Sequence, residues 1–186
     1  MPVFASYTDL RKWGAEDKAQ RLLKEASLES FSGSRPNEKS VFLSHSTKDD
    51  DLVGGVALIL QNHGGNVYID HSDPSISEDN CLAIAAHLRV VIHGCRKFVM
   101  LASPRSKDST WMPWELGLGD GIHSPVNVAI FPSAETIVDM KWSEREYLGL
   151  YRRIVWGTQE GQNGFMWLVW DFRTNTAEKL SNWLAS

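Results

Sequence analysis

Cysteine and excess positive charge are both scarce in this chain. Only two cysteines, Cys81 and Cys95, occur among its 186 residues. They are too few for a disulfide framework and lack the paired spacing of a zinc site. The 19 lysines and arginines are outnumbered by 23 acidic residues, so the formal net charge is -4. We therefore expect reduced thiols, and no nucleic acid or anionic membrane as a partner.

Long apolar runs are missing as well. No window of the sequence approaches the roughly 18 apolar residues that a membrane-spanning helix needs. The opening residues 1–18 carry charges where a signal peptide would have an apolar stretch. We therefore expect a cytoplasmic protein. With 42% apolar residues the chain can bury one substantial core, and its length favours a single domain.

The first 39 residues are predicted to form one helix and a linker. Ser6 and Asp9 have the spacing of a capping box, and apolar residues then recur at helical intervals to about Ser27. The segment 31–39 combines glycine, proline, asparagine and serine, which is typical of a linker. The opening VFASYTD echoes VFLSHSTKD further on, and we expect the first copy to be an accessory edge or lead-in to a sheet.

The remainder of the chain alternates between predicted strands and helices. Strands are predicted at 41–43, 66–70, 97–103, 126–132 and 165–171, and helices at 49–63, 81–93, 144–154 and 176–186. This alternation indicates a parallel sheet covered on both sides, which is a doubly wound α/β fold. The acidic run at 49–51 is expected to be a solvated helix start.

Polar clusters follow three of the predicted strands. They comprise Ser44, His45 and Ser46, then the segment 70–77, then the segment 103–115. Because ligands bind outside the carboxyl ends of the strands in such sheets, these segments are expected to line one cleft.

Glu115 is the most informative acid in these clusters. If Thr110 caps a helix, Pro113 lies in the first turn, where its missing N–H costs nothing. Trp111 and Glu115 then share a face, being four residues apart. Two interpretations stay open. Either a carboxylate and an indole face the cleft, or the acid offsets the helix dipole beside a tryptophan that packs in the core.

Other candidate groups are less informative. GLGDG at 117–121 has the glycines of a dinucleotide fingerprint but follows a helical segment, which favours a helix end or turn. His45 could act as a base, but spacing establishes no acid–His–Ser order. The other histidines show no metal-ligand spacing, so we assign no metal site.

Four quoted segments carry a family resemblance: SVFLSHSTKDD, GGNVYIDHSD, KFVMLAS and SPRSKDSTWMPWELG. In order and spacing they resemble the Toll/interleukin-1 receptor (TIR) domain, especially its bacterial members. The most specific piece is Ser-x-Trp-x-x-x-Glu at Ser109–Glu115. The resemblance implies a flavodoxin-like sheet of about five parallel strands, with a TIR domain over 40–186 and a helical extension and linker over 1–39.

The resemblance also implies an activity. In enzymatic members the Glu of this pattern is the catalytic residue that cleaves NAD+ between nicotinamide and ribose, which implies that role for Glu115. It implies that Trp111 lines the pocket, that NAD+ is the substrate and that no separate cofactor is needed. The implied substrate-binding residues are Trp111, Ser44, His45, Ser46, Asp70 and Asp73. The loop at 71–80, which lacks the glycine of many members, would gate the pocket and join neighbouring domains.

The residues suit such chemistry. Nicotinamide leaves a pyridinium as a neutral molecule, so no acid is required, and one anion can stabilise the developing oxocarbenium charge. Water access then decides between ADP-ribose and a cyclic isomer. The expected setting is bacterial anti-phage immune signalling, with self-association on activation and a separate effector for the product. The alternatives are a non-catalytic adaptor acting through TIR–TIR contacts and, less well supported, a nucleoside-processing enzyme.

Overall fold

A mixed β-sheet forms the centre of the molecule. A computed structural model describes residues 3–32, 40–69, 81–136, 147–159 and 161–186, with the backbone alone for 27–32. In this part of the chain the strand order is β3-β2-β4-β5-β6-β7-β8, with β1 paired to β5. The strands are β1 (Ala5–Ser6), β2 (Val41–Ser44), β3 (Val67–Ile69), β4 (Lys97–Ala102), β5 (Val128–Ala134), β6 (Arg152–Gly157), β7 (Met166–Asp171) and β8 (Thr176–Lys179).

The predicted fold class is confirmed. Strands β3, β2, β4, β5 and β6 run parallel to one another, and helices cover both faces. The antiparallel strands β7 and β8 extend the sheet beyond the parallel set. The short strand β1 pairs with the end of β5, through Ala5 and Ser133, so the opening segment is the accessory strand that was expected.

Two apolar clusters and the helices above them cover the sheet. The described helices are α1 (Tyr7–Gly14), α2 (Asp17–Ser32), α3 (Asp50–Asn62), α4 (Cys81–Gly94), α5 (Trp111–His123) and α6 (Leu180–Ala185). One cluster joins the inner faces of α1 and α3 to the sheet, as with Leu10, Val56 and Phe131. The other joins α4 and α5 to the opposite face, as with Leu88 and Met112. Among the described helices, none combines the length and apolar character needed to cross a bilayer.

The prediction of one N-terminal helix is wrong, because the segment forms two. The capping box of Ser6 and Asp9 is present and starts α1 as predicted. The helix ends at Gly14, whose carbonyl accepts a hydrogen bond from the Gln20 side chain at 2.6 Å. This contact satisfies a carbonyl at the end of α1, and α2 begins at Asp17.

The second half of the chain departs further from the predictions. The predicted helix 144–154 runs into strand β6, where Ile154 and Val155 are fully buried, and residues 137–146 lie outside the described residues. β-Branched residues suit a buried strand, and tertiary contacts override the local helical pattern. The predicted closing helix is also shorter, because Thr176–Lys179 pair with β7 as β8 and leave α6 to begin at Leu180.

GLGDG at 117–121 is not a helix end, since α5 continues to His123. A Cβ atom at Gly119 would lie 2.6 Å from the Phe98 ring. The absence of a side chain at Gly119 therefore lets α5 approach strand β4 closely.

Lys97, at the start of β4, is buried, and its ammonium group is hydrogen-bonded to Asn127 and Ser186. Its Nζ donates to Asn127 Oδ1 at 2.6 Å and to Ser186 Oγ at 2.8 Å, and it lies 5.0 Å from the centre of the Trp183 ring. Burial lowers the pKa of Lys97. These polar and cation–π contacts compensate for the removal of the ammonium group from water.

Glycines bring α1 and α3 into contact. A Cβ atom at Gly55 would lie 2.3 Å from the Leu10 carbonyl oxygen, and one at Gly14 would lie 3.2 Å from the Gly55 nitrogen. Both neighbours are backbone atoms of packed helices, which cannot move as a side chain can. The N-terminal helix is therefore fitted against α3 at backbone distance.

Gly55→Ala should destabilise the protein by about 1–3 kcal/mol or more, because the methyl group forces the two helix backbones apart. Gly121→Ala is the matched control, since a Cβ atom there has no neighbour within 4 Å. It should be neutral or stabilise α5 by up to about 1 kcal/mol. Urea unfolding followed by circular dichroism measures both. Equal stability of the Gly55→Ala variant and the unchanged protein would contradict the close packing.

Candidate active site

A buried acid and a buried serine meet at the carboxyl edge of the sheet. Strand β2 ends at Ser44, and its Oγ donates a hydrogen bond of 2.5 Å to Glu115 Oε2 in α5. Ser44 is 1% exposed and Glu115 is 6% exposed. The structure thus brings together the predicted catalytic acid and one predicted substrate-binding residue, which are 71 positions apart in the sequence. Their catalytic and binding roles stay predictions.

The start of α5 differs in detail from the prediction. Thr110 precedes the helix but makes no capping hydrogen bond with its side chain. Its backbone is already helical, at φ -86° and ψ -31°, whereas capping residues adopt an extended conformation. Ser109 is extended, and its Oγ accepts the Met112 N–H at 3.3 Å. Ser109 therefore caps α5, and Pro113 lies in the first turn as predicted.

Glu115 faces inwards just past the first turn of α5, between the buried residues Met112 and Leu116. The helix dipole acts mainly within the first turn, so dipole compensation alone does not account for its position. One turn earlier, Trp111 is half-buried and meets Trp114 edge to face, with ring centres 5.6 Å apart. The interpretation of Trp111 as core packing is consistent with its contact with the apolar cluster under α5.

The other two predicted residues of the first loop differ from Ser44 in their contacts. His45 Nε2 lies 3.3 Å from Asp50 Oδ1, at the start of α3. Ser46 caps the following 3₁₀ turn, accepting the Lys48 N–H at 3.3 Å. The Ser46 side chain therefore serves a local structural purpose. Asp70, Asp73 and the loop at 71–80 lie outside the described residues, so the predictions made for them stay predictions.

Sequence reasoning missed a second buried acid at this edge. Asp49 was expected in a solvated helix start but is fully buried, and Ser103 Oγ donates to its Oδ2 at 2.6 Å. Burial raises the pKa of Asp49, an effect that the Ser103 hydrogen bond and Arg105 partly oppose. Asp49 follows β2 and Ser103 follows β4 within a few residues. This position after a buried strand is the sequence signal that could have identified the pair.

The two buried pairs are reciprocal. Ser44 ends β2 and binds the acid that follows β4, whereas Ser103 follows β4 and binds the acid that follows β2. Since β2 and β4 are neighbours in the sheet, the first pair links the end of β2 to α5, and the second links the segments that follow the two strands. Two buried hydrogen bonds thus hold the edge together.

The N-terminal helix also reaches this edge. Arg11 Nε in α1 binds Asp51 Oδ2 at 2.7 Å, and Arg105 Nη1 binds Asp51 Oδ1 at 2.9 Å. The Arg105 guanidinium lies 4.5 Å from the centre of the Tyr7 ring, and burial raises the pKa of Tyr7. Charged contacts thus connect α1 to the loops that hold Asp49 and Ser103.

These features define the class of protein. An open parallel sheet carries buried carboxylates at its carboxyl edge, and in doubly wound α/β proteins this edge is where ligands bind. A comparison with known families identifies one of them: the family model of the TIR domain matches residues 41–152, from the first residue of β2 to the first residue of β6. This chain belongs to the TIR domain family, as the resemblance implied.

One curated relative is a bacterial protein. The chain is 34% identical over 120 residues to the "Probable 3' cyclic ADP-D-ribose synthase ThsB'" of Bacillus cereus (strain MSX-D12). The match covers 63% of this chain and 61% of the relative. The chain therefore matches about three fifths of the relative's length.

Asp49→Asn should change how stability depends on pH. Because burial raises the pKa of Asp49 in the folded state, the native protein binds this proton more tightly than the unfolded chain does. Its stability therefore falls as the pH rises from the ordinary Asp pKa of 3.8 through the raised value, and the Asn variant lacks this loss. The free energy of unfolding of the variant should therefore rise relative to that of the unchanged protein as the pH increases. The rise should be about 1.4 kcal/mol for each tenfold difference in the proton affinity of Asp49 between the folded and unfolded states.

Urea unfolding at a series of pH values between 4 and 8 measures this gain. Asp108→Asn is the control, because its side chain is 64% exposed and forms an ion pair with the exposed Lys48 at 3.7 Å. If the free energies of unfolding of the Asp49→Asn variant and the unchanged protein differ by the same amount at every pH, the raised pKa of Asp49 is contradicted.

Proposed function

We propose that this TIR domain protein is a cytoplasmic enzyme that cleaves NAD+ between nicotinamide and ribose, with Glu115 as the catalytic residue. The observation that carries the proposal is the position of Glu115. A carboxylate that is 6% exposed lies at the ligand-binding edge of the sheet, held by the hydroxyl of Ser44. Removing a carboxylate from water costs free energy even where polar groups bind it. A buried acid at this edge is therefore a candidate for a functional role.

The reaction needs one anion. The bond between C1′ of the ribose and the nicotinamide nitrogen breaks, and its electron pair goes to the ring, so nicotinamide leaves as a neutral molecule. The ribose becomes an oxocarbenium-like cation, which an ionised Glu115 stabilises electrostatically and by hydrogen bonds to ribose hydroxyls. Ser44 orients the carboxylate, and Trp111 offers an aromatic wall for the flat base.

The product depends on which nucleophile reaches C1′. Capture by water gives ADP-ribose, whereas capture by a hydroxyl of the same molecule gives a cyclic ADP-ribose isomer; each nucleophile loses one proton. The similarity to a protein named as a 3' cyclic ADP-D-ribose synthase supports the cyclic product. A site that excludes water would favour it as well.

The proposed setting is bacterial anti-phage defence. In this setting the domain associates with further copies through TIR–TIR contacts when activated, and a separate effector responds to the product. Assembly would also bring the loop at 71–80 of one copy against its neighbour. The alternative function, a non-catalytic adaptor that acts through the same contacts, makes no use of the acid at the carboxyl edge.

Glu115→Gln should abolish nicotinamide release, because the amide keeps the size of the side chain and a hydrogen-bonding oxygen but removes the negative charge. Nicotinamide is quantified by liquid chromatography and the second product is identified by mass spectrometry, with concentrated protein and a crowding agent to promote assembly. Glu16→Gln is the control, an exposed acid in the turn between α1 and α2. Turnover that survives in the Glu115 variant refutes the assignment. NAD+ left intact by the assembled unchanged protein favours the adaptor.

Ser44→Ala should lower kcat by about 10–100-fold without abolishing turnover, because a hydrogen bond to a charged group contributes about 1.5–3 kcal/mol. Ser44 acts here through Glu115, so Ser44→Thr, which keeps the hydroxyl, should recover part of the rate. Thermal unfolding of both variants tests that the sheet is intact. Equal rates in the Ala and Thr variants would argue against the role of the hydroxyl.

A further inference from the structure

A cavity lies away from Glu115, on the opposite face of the sheet. It measures about 290 Å³ and is lined by Trp13 of α1, Trp156 of β6 and Trp167 of β7, together with residues 3–5 and Asp9. Trp13 and Trp167 belong with the apolar cluster under α1 and α3, whereas Glu115 projects from α5 on the other side. Strands β4 and β5 separate β2 from β6, which is roughly 14 Å at the spacing of neighbouring strands.

The three indoles enclose space and do not stack on one another. The rings of Trp13 and Trp167 meet at 80° with centres 6.3 Å apart, and those of Trp156 and Trp167 meet at 58° with centres 5.4 Å apart. Trp156 is 39% exposed, although a large aromatic side chain is more stable when buried. All three indole side chains line the same cavity.

The charge lining the cavity is negative as well. Asp9 receives both hydrogen bonds from Ser6 on Oδ2, from the backbone N–H at 3.2 Å and from Oγ at 2.6 Å. These bonds bring no positive charge. The nearby Arg11 pairs with Asp51 instead, and within the described ranges no cationic side chain forms an ion pair with Asp9. A carboxylate and three indole side chains thus line one cavity, and none of its lining residues is cationic.

We infer that this cavity binds a small organic cation with an apolar surface, of the quaternary ammonium class. Such a cation satisfies both features, because its methyl groups fill apolar space while its charge interacts with the indole faces and the carboxylate. An anion would be repelled by Asp9 and by the rings. A metal ion would find one carboxylate and no further side-chain ligand among the lining residues. The volume is at the small end of the range for ligand sites, about 300 Å³.

The site is distinct from the proposed catalytic function and does not depend on it. Its ligand would touch α1, β6 and β7 together, and thereby tie the N-terminal helix to the antiparallel part of the sheet. Binding should consequently stabilise the folded protein by mass action.

The test compares choline with 3,3-dimethyl-1-butanol, a neutral molecule of nearly the same shape. Each is titrated into the full chain while the indole N–H signals are followed by NMR. Choline should shift the signals of Trp13, Trp156 and Trp167 and should bind at least about 5-fold more tightly than the neutral analogue, as cation–π attraction predicts. Equal affinity of the two compounds overturns the proposal, and so does the absence of shifts with choline at tens of millimolar.

Two variants locate the site. Trp156→Leu should weaken choline binding at least about 5-fold, whereas the control Trp170→Leu, which removes an indole outside the cavity, should leave it unchanged. Asp9→Asn keeps a side-chain oxygen for the Ser6 hydrogen bonds and should reduce the affinity for choline but not for the neutral analogue. Should Trp156→Leu fail to fold, the Asp9 variant decides by itself. An unchanged choline affinity in Asp9→Asn, or in a folded Trp156→Leu, contradicts the inference.

Discussion

Burial of a carboxylate at the carboxyl edge of the sheet is the constraint on which the functional part of this molecule depends. An acid can stay out of water only where donors are fixed to receive it. The chain supplies such a donor twice, with Ser44 donating to Glu115 and Ser103 donating to Asp49. One bond joins the end of β2 to α5, and the other joins the segments that follow β2 and β4, so the two bonds together help to set the geometry of the edge.

The local patterns predicted much of this arrangement. The buried apolar runs located β2, β4 and β5, and the polar residues after them located the edge where Ser44 and Glu115 meet. Pattern reasoning failed where an element depends on partners far away in the chain. Strand β6 follows residues of helical character, and Asp49 belongs to an acidic run that resembles an exposed helix start. The environment of β6 depends on the neighbouring strands, and that of Asp49 depends on the distant Ser103.

The N-terminal segment illustrates the same limit. Its capping box predicted the start of α1, but nothing local indicated that Gly14 would end the helix against Gly55 of α3. The family match begins at residue 41, after α1 and α2. Even so, Leu10 of α1 lies in one apolar cluster with residues of α3 and the sheet. The domain boundary predicted between 1–39 and 40–186 therefore stays a prediction. In the structure, α1 packs against the same core as α3 and the sheet.

The pairing of Ser44 with Glu115 has a consequence for how the chain reaches its native state. Ser44 is the last residue of the β2–β4 ladder, in which it lies opposite Met100. Successive side chains of a strand point to opposite faces, so a slip of β2 by one residue would turn the Ser44 hydroxyl away from Glu115. A misregistered sheet would leave this carboxylate without its serine donor, and such an arrangement would be less stable than the native one. The hydrogen bond thereby favours the native strand register during folding.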